Sequence, residues 1–173
     1  MHVKDNWLAC RRAEPVAHLG ATTVLRSNGI RVVATDRIVT VEDVRILIAC
    51  LAEFTGVTAG TPTVYDLRGL DFSNVRSGTV RQWLDVSAMY PALRRTPGAF
   101  VVGSSLGYGM MRMYQILSDV HGVAPEAHHY VTRSLIDAVN WTRARRDIRP
   151  ELLGRRDSLA ETCRGAAAAP RLV

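Results

Sequence analysis

The chain has 173 residues, 47% hydrophobic and 22% charged, an ordinary globular composition with length enough to bury a core. No apolar run approaches the roughly 20 residues of a membrane-spanning helix, and the start lacks a basic stretch followed by an apolar one; neither a span nor a signal peptide is expected, and a cytoplasmic location is. The formal charge is +6, but residues 1–132 carry 13 basic against 11 acidic groups and residues 133–173 carry 9 against 5, so much of the excess lies in the C-terminal part rather than on a folded basic face.

Residues 1–19 read as an irregular extension, because Arg11-Arg12 and Glu14-Pro15 break any periodic pattern. Residues 21–26 and 30–35 flank Ser27-Asn28-Gly29, and Asn-Gly suits a tight hairpin turn. Thr40-Val41-Glu42-Asp43 then opens a helix, with Thr40 capping the free amides and Asp43 reaching back. Val44, Leu47, Ile48 and Leu51 follow at helical spacing. Ile46, Ala49 and Cys50 widen the stripe and predict a heavily buried helix stopped by Gly56. Cys10, Cys50 and Cys163 are far apart and without ligand spacing, which argues against a disulfide framework or a zinc site.

Residues 63–67 form a strand that runs into Asp66, Arg68 and Gly69 and breaks into a polar loop. Residues 79–90 are helical, with Val80, Trp83 and Leu84 on one face and Pro91 as the stop. Residues 98–103 suit a central strand. A helix then runs to His121, with Met110, Met113, Leu117 and Val120 inward and Met111 pointing away, and Gly122 ends it. Residues 127–131 give another strand. Thr132 or Ser134 caps a last helix with Leu135, Ala138 and Val139 inward. The order ββαβαβαβα predicts an α/β protein: a mixed sheet of about five strands, covered mainly by about four helices. Residues 146–173 read as an Arg/Ala-rich tail, largely disordered.

Several motifs in this order carry a resemblance. They are Gly29-Ile30-Arg31-Val32-Val33 before Val39-Thr40-Val41-Glu42-Asp43, then Val64-Tyr65-Asp66-Leu67-Arg68, then Ala99-Phe100-Val101-Val102. Gly107-Tyr108-Gly109-Met110-Met111-Arg112-Met113-Tyr114 and Asp137-Ala138-Val139-Asn140-Trp141 complete the set. Over residues 20–145 the chain resembles the SpoIIAA-like (STAS) superfamily, in particular small bacterial STAS domain-containing proteins of uncharacterised function. The resemblance implies a non-enzymatic binding module that engages a protein partner or itself. Anti-sigma-factor antagonists of that superfamily carry a phosphorylated serine in an Asp-Ser-Ser-Gly turn. Here the matching position is Val75 or Arg76, so no serine phosphoswitch is expected.

Two surfaces are candidates. Ligands and partners meet the carboxyl ends of strands in open α/β sheets, which selects Asp66, Arg68, Asp71, Ser73, Asn74, Arg76 and Ser77 as a partner surface. The alternative is a small-ligand or lipid-head-group site at a helix start, with Ser104, Ser105, Gly107, Tyr108 and Gly109 offering amides and Arg112 a charge. The structural alternative is that these glycines only shape a tight turn. The run is neither a P-loop nor a dinucleotide fingerprint. Adjacent strand residues His128 and His129 face opposite ways, and no nucleophile–base spacing is visible. No enzyme, metal or cofactor is therefore expected. Arg143, Arg145, Arg146, Arg149, Arg155 and Arg156 could touch nucleic acid. Acidic residues interrupt them, so this is the least favoured reading.

Overall fold

The computed structural model describes residues 13–19, 22–27, 29–35, 40–53, 60–90 and 96–146. Six strands form one sheet in sequential order: β1 Ala13–Leu19, β2 Thr22–Ser27, β3 Ile30–Thr35, β4 Thr63–Leu67, β5 Gly98–Val102 and β6 His129–Thr132. β1 to β3 are an antiparallel meander, and β3 to β6 run parallel. α1 Val41–Glu53, α2 Ser77–Ala88 and α3 Ser105–Val120 connect the parallel strands, and α4 Leu135–Arg146 follows β6. The α/β class, the mixed sheet and the four helices are as expected from the sequence.

The hairpin forms where Asn-Gly placed it, and Gly29 takes φ 76°. β1 is the exception to the expected order, since part of the 1–19 extension is a strand. Ala13-Glu14-Pro15-Val16-Ala17-His18-Leu19 has weak strand propensity, and Pro15 cannot donate to a ladder. The sheet accepts it because β1 is an edge strand whose register slips between Pro15 and Ala17. The expected strand over 127–131 is shorter, because Glu126–His128 form a 3-10 turn before β6. Gly56, Pro91 and the 146–173 tail, apart from Arg146 itself, lie outside the described residues.

Alternation along the strands gives the sheet two apolar faces. Ile30, Val32, Ala34, Val64, Ala99 and Val101 pack against Ala138 and Val139 of α4. Val33, Tyr65, Phe100, Val102 and Val131 face the other way, toward α1, α2 and α3. α4 lies close on β3 to β6. α1 and α2 lie closer to each other, and α2 to α3, than α1 or α2 lies to the sheet.

Two helices differ from expectation. In α1 the Thr40 box forms: Thr40 Oγ1 accepts the Asp43 amide at 3.1 Å, and Asp43 accepts the Thr40 amide at 2.9 Å. Ile48 and Leu51 are buried, but Val44 and Leu47 are only half-buried and Ile46 is 45% exposed, so the helix is less enclosed than its composition suggests. α3 is turned relative to the expected setting. Gly107, Met111, Gln115 and Ser118 are its buried residues, Met110, Met113 and Leu117 are half-buried, and Val120 is exposed. The cause is packing at both ends. A Cβ on Gly107 would lie 2.8 Å from the Phe72 ring, so the glycine edge must face inward. Farther along, Gln115 donates to the Glu126 carbonyl at 3.1 Å and the His129 carbonyl at 2.8 Å. Among the described residues no helix is long and apolar enough to cross a membrane.

Candidate functional site

Cross-strand register fixes what lies under α1 to α3. Arg31, Thr63, Gly98 and His129 stand opposite one another in one row, and Val33, Tyr65, Phe100 and Val131 in the next. The Tyr65 and His129 rings close over Gly98, 3.3 and 3.7 Å from where a Cβ would stand, and α1 and α2 stand off the sheet. A cavity of about 130 Å³ results, lined mainly by apolar and aromatic side chains. Val33, Tyr65, Gly98, Phe100 and His129 form its floor; Val44, Leu47, Trp83, Ser87, Met111 and Tyr114 come from the helices; Thr35 and Thr96 lie in the lining.

Ring packing orders the aromatic part. Tyr65 and Phe100 stack with centroids 4.9 Å apart, Tyr114 meets Phe100 edge-on at 5.6 Å, and His129 lies 5.6 Å from Phe100 and 5.5 Å from Tyr114. Burial pushes the Tyr114 phenol up to about 12, opposed by its bond to Ser87, and raises that of Tyr65. Burial, with a smaller contribution from His128, pulls His129 down to about 4. The imidazole is therefore neutral at pH 7.

Trp83, His129 and Thr35 line the cavity, and each has one buried polar atom without a hydrogen-bond partner among the described residues: Nε1, Nδ1 and Oγ1. Trp83 is 6% exposed and Thr35 4%. A buried polar group left unpaired costs about 1–3 kcal/mol, so each is a local cost of the packing around the cavity, closed off from its surface. Among the described residues, no Asp, Glu, Lys or Arg belongs to the lining. The nearby Arg31 guanidinium is committed to Thr63 Oγ1 at 3.0 Å and the Leu51 carbonyl at 3.1 Å.

The two sequence-selected surfaces lie elsewhere. Asp66 is fully buried and binds Arg68 through two bonds of 2.8 Å, which hold the strand end rather than present a carboxylate. Hydrogen bonding to Asp66 raises the Arg68 pKa. In the following loop Leu70, Phe72 and Val75 turn inward, while Asp71, Ser73, Asn74, Arg76 and Ser77 are exposed. Asp71 accepts the Ser73 amide at 2.8 Å and its hydroxyl at 2.9 Å, and these bonds lower its pKa. Arg76 is the N-cap residue of α2 and makes no side-chain cap bond.

At the start of α3 the Ser104 hydroxyl accepts the Gly107 amide at 3.0 Å, and Arg133 donates to Ser105 Oγ at 2.6 Å. Tyr108 and Gly109 are exposed. Arg112 pairs with Glu126 at 3.2 Å and with Gln115, away from the helix start. None of these residues lines the cavity. Gly103 and Gly107 are packing glycines, since added Cβ atoms would lie 2.6 Å from the Arg68 carbonyl oxygen and 2.8 Å from Phe72. No group of three or more His, Cys, Asp or Glu among the described residues could hold a metal ion.

Sequence reading missed the cavity residues because Tyr65, Trp83, Phe100 and Tyr114 read as core. The one available signal was Gly98 opening a run of β-branched and aromatic strand residues, which marks a place where a side chain is missing from a buried face.

No family model matches the chain, and no curated protein does. A solved structure from Shewanella loihica PV-4, described as an uncharacterized protein from the DUF3478 family with a SpoIIAA-like fold, is similar to it. The two are 16% identical, with a TM-score of 0.46, over 70% of this chain and 92% of that one.

Proposed function

We propose that this protein is a non-enzymatic α/β binding module that holds a small, largely apolar molecule in the cavity between its sheet and α1, α2 and α3. The observation that carries the reading is a cavity of about 130 Å³ lined mainly by apolar and aromatic side chains. Apolar pockets with a few convergent polar groups are the usual form of small-molecule sites. The reading moves the ligand away from the start of α3, where Ser104 and Arg112 are already engaged. Native mass spectrometry of the full chain tests it. Wild type should carry an added small mass that denaturation releases, and Val44→Phe, which enlarges a lining side chain from α1, should carry less. Equal retention by folded Val44→Phe would refute the location.

A second reading, docking of a protein partner, is favoured by one observation: Asp71, Ser73, Asn74, Arg76 and Ser77 are exposed polar residues between β4 and the first turn of α2. Capture of a partner by wild type, lost in Asp71→Ala and Arg76→Glu, would support it. Capture retained equally by both variants would remove that surface.

A further inference from the structure

The outer face of α3 is apolar. Leu106, Gly109, Met113, Ile116 and Val120 follow in alternating steps of three and four residues, the spacing of the narrow seam along which helices pair. Leu106 and Ile116 are each 47% exposed, Val120 is 72% exposed and Met113 is half-buried. At about 100° per residue this seam lies nearly opposite the edge of Gly107, Met111, Gln115 and Ser118 that is buried inward. On α2 the outward positions are Arg81, Gln82 and Asp85, the usual polar outer face. A contiguous exposed apolar stripe marks an interaction surface. None of the five seam residues lines the cavity.

Charge placement selects the occupant. Arg112 and Asp119 lie on the same flank of the seam, seven residues and about 10 Å apart along the helix. Asp119 is exposed. Arg112 meets Glu126 and Gln115 through Nη1, one nitrogen of a guanidinium with five N–H donors. When a seam pairs antiparallel with a copy of itself about a two-fold axis, like flanks meet. A crossing centred between Met113 and Ile116 then sets Arg112 of each copy beside Asp119 of the other, and both ion pairs form at once, the self-complementarity that a two-fold interface needs. We propose that α3 is the interface of a homodimer, with the two apolar seams packed antiparallel and Arg112–Asp119 pairs along their flank. One pair of 16-residue helices is a small contact, so dissociation falls in the micromolar range.

Sedimentation equilibrium of the full chain across the micromolar range, at low salt, tests the inference. Wild type should pass from monomer to dimer. Ile116→Glu puts a charge into the seam and should stay monomeric, with an unchanged circular dichroism spectrum to show that it folds. Arg112→Glu and Asp119→Arg each turn both ion pairs into like-charge contacts and should weaken the dimer roughly 10-fold. Mixed in equal amounts, the two variants should regain wild-type affinity, because each then carries the complement of the other; damage within one chain is not repaired by mixing. A monomeric wild type, an undiminished dimer in Ile116→Glu or Asp119→Arg, or weakened variants that mixing does not rescue would overturn the inference. If Arg112→Glu does not fold beside Glu126, Ile116→Glu and Asp119→Arg still decide it. Each of these results leaves the cavity reading standing.

Discussion

The Tyr114 hydroxyl donates to Ser87. The two oxygens are 3.0 Å apart, and the only hydroxyl proton of Ser87 is used on the Trp83 carbonyl at 2.8 Å, so the phenol must be the donor. This relay ties α3 to α2 at the edge of the cavity and leaves the lone pairs of Tyr114 as acceptors.

That direction makes the two deletions unequal. Tyr114→Phe removes a donor and leaves Ser87 bonded to Trp83, so it should cost about 0.5–1.5 kcal/mol. Ser87→Ala strands the phenol and should cost about 1–3 kcal/mol. Urea unfolding of both variants checks the order. A larger loss in Tyr114→Phe would reverse the assignment.

His129 predicts a pH dependence. Its folded pKa of about 4 lies below the ordinary value of 6.5 because burial disfavours the imidazolium. Between these values the unfolded chain binds the proton more readily, so stability is lost as pH falls from 6.5 toward 4, by up to about 3 kcal/mol. His129→Gln should flatten that slope in urea midpoints measured across the window. An unchanged slope would show that other groups produce it.

Arg31 caps α1 from β3. The Leu51 carbonyl belongs to the last described turn of α1, and Arg31 supplies it a donor at 3.1 Å. Arg31→Met keeps most of the packing but removes the donors to the Leu51 carbonyl and to Thr63 Oγ1. It should destabilise the protein by about 1–3 kcal/mol and speed amide exchange in the last turn of α1. Exchange changes spread evenly over the molecule would contradict the capping role.

The glycines around α3 should divide sharply. Gly103→Ala places a Cβ 2.6 Å from the Arg68 carbonyl oxygen, a backbone atom, and should be strongly destabilising. A Cβ on Gly109 meets nothing within 4 Å, so Gly109→Ala should stabilise by about 0.5–1 kcal/mol through helix propensity. Thermal melts of the two variants should move in opposite directions.

Local chemistry made much of the fold legible. Asn28-Gly29, the Thr40–Asp43 box and Gly122 each mark a turn or a helix limit by conformations their neighbours cannot change, and Gly29 and Gly122 both have positive φ. Elements set by tertiary context were not legible. β1 exists because β2 offers an edge, and the setting of α3 follows from Phe72 against Gly107. The site was hidden for the same reason. Tyr65, Trp83 and Tyr114 are ordinary core residues by pattern, and only the stand-off of α1 and α2 turns them into the wall of a cavity.

The most direct test of a cavity site is a two-dimensional ¹H–¹⁵N spectrum of the full chain titrated with toluene, a small apolar probe. The indole N–H of Trp83 should shift, with amides of Tyr65, Gly98, Phe100, Tyr114 and His129, while the indole of Trp141 on the α4 side stays in place. Shifts confined to Asp71–Ser77 or to the start of α3, or no shift at all, would contradict the account.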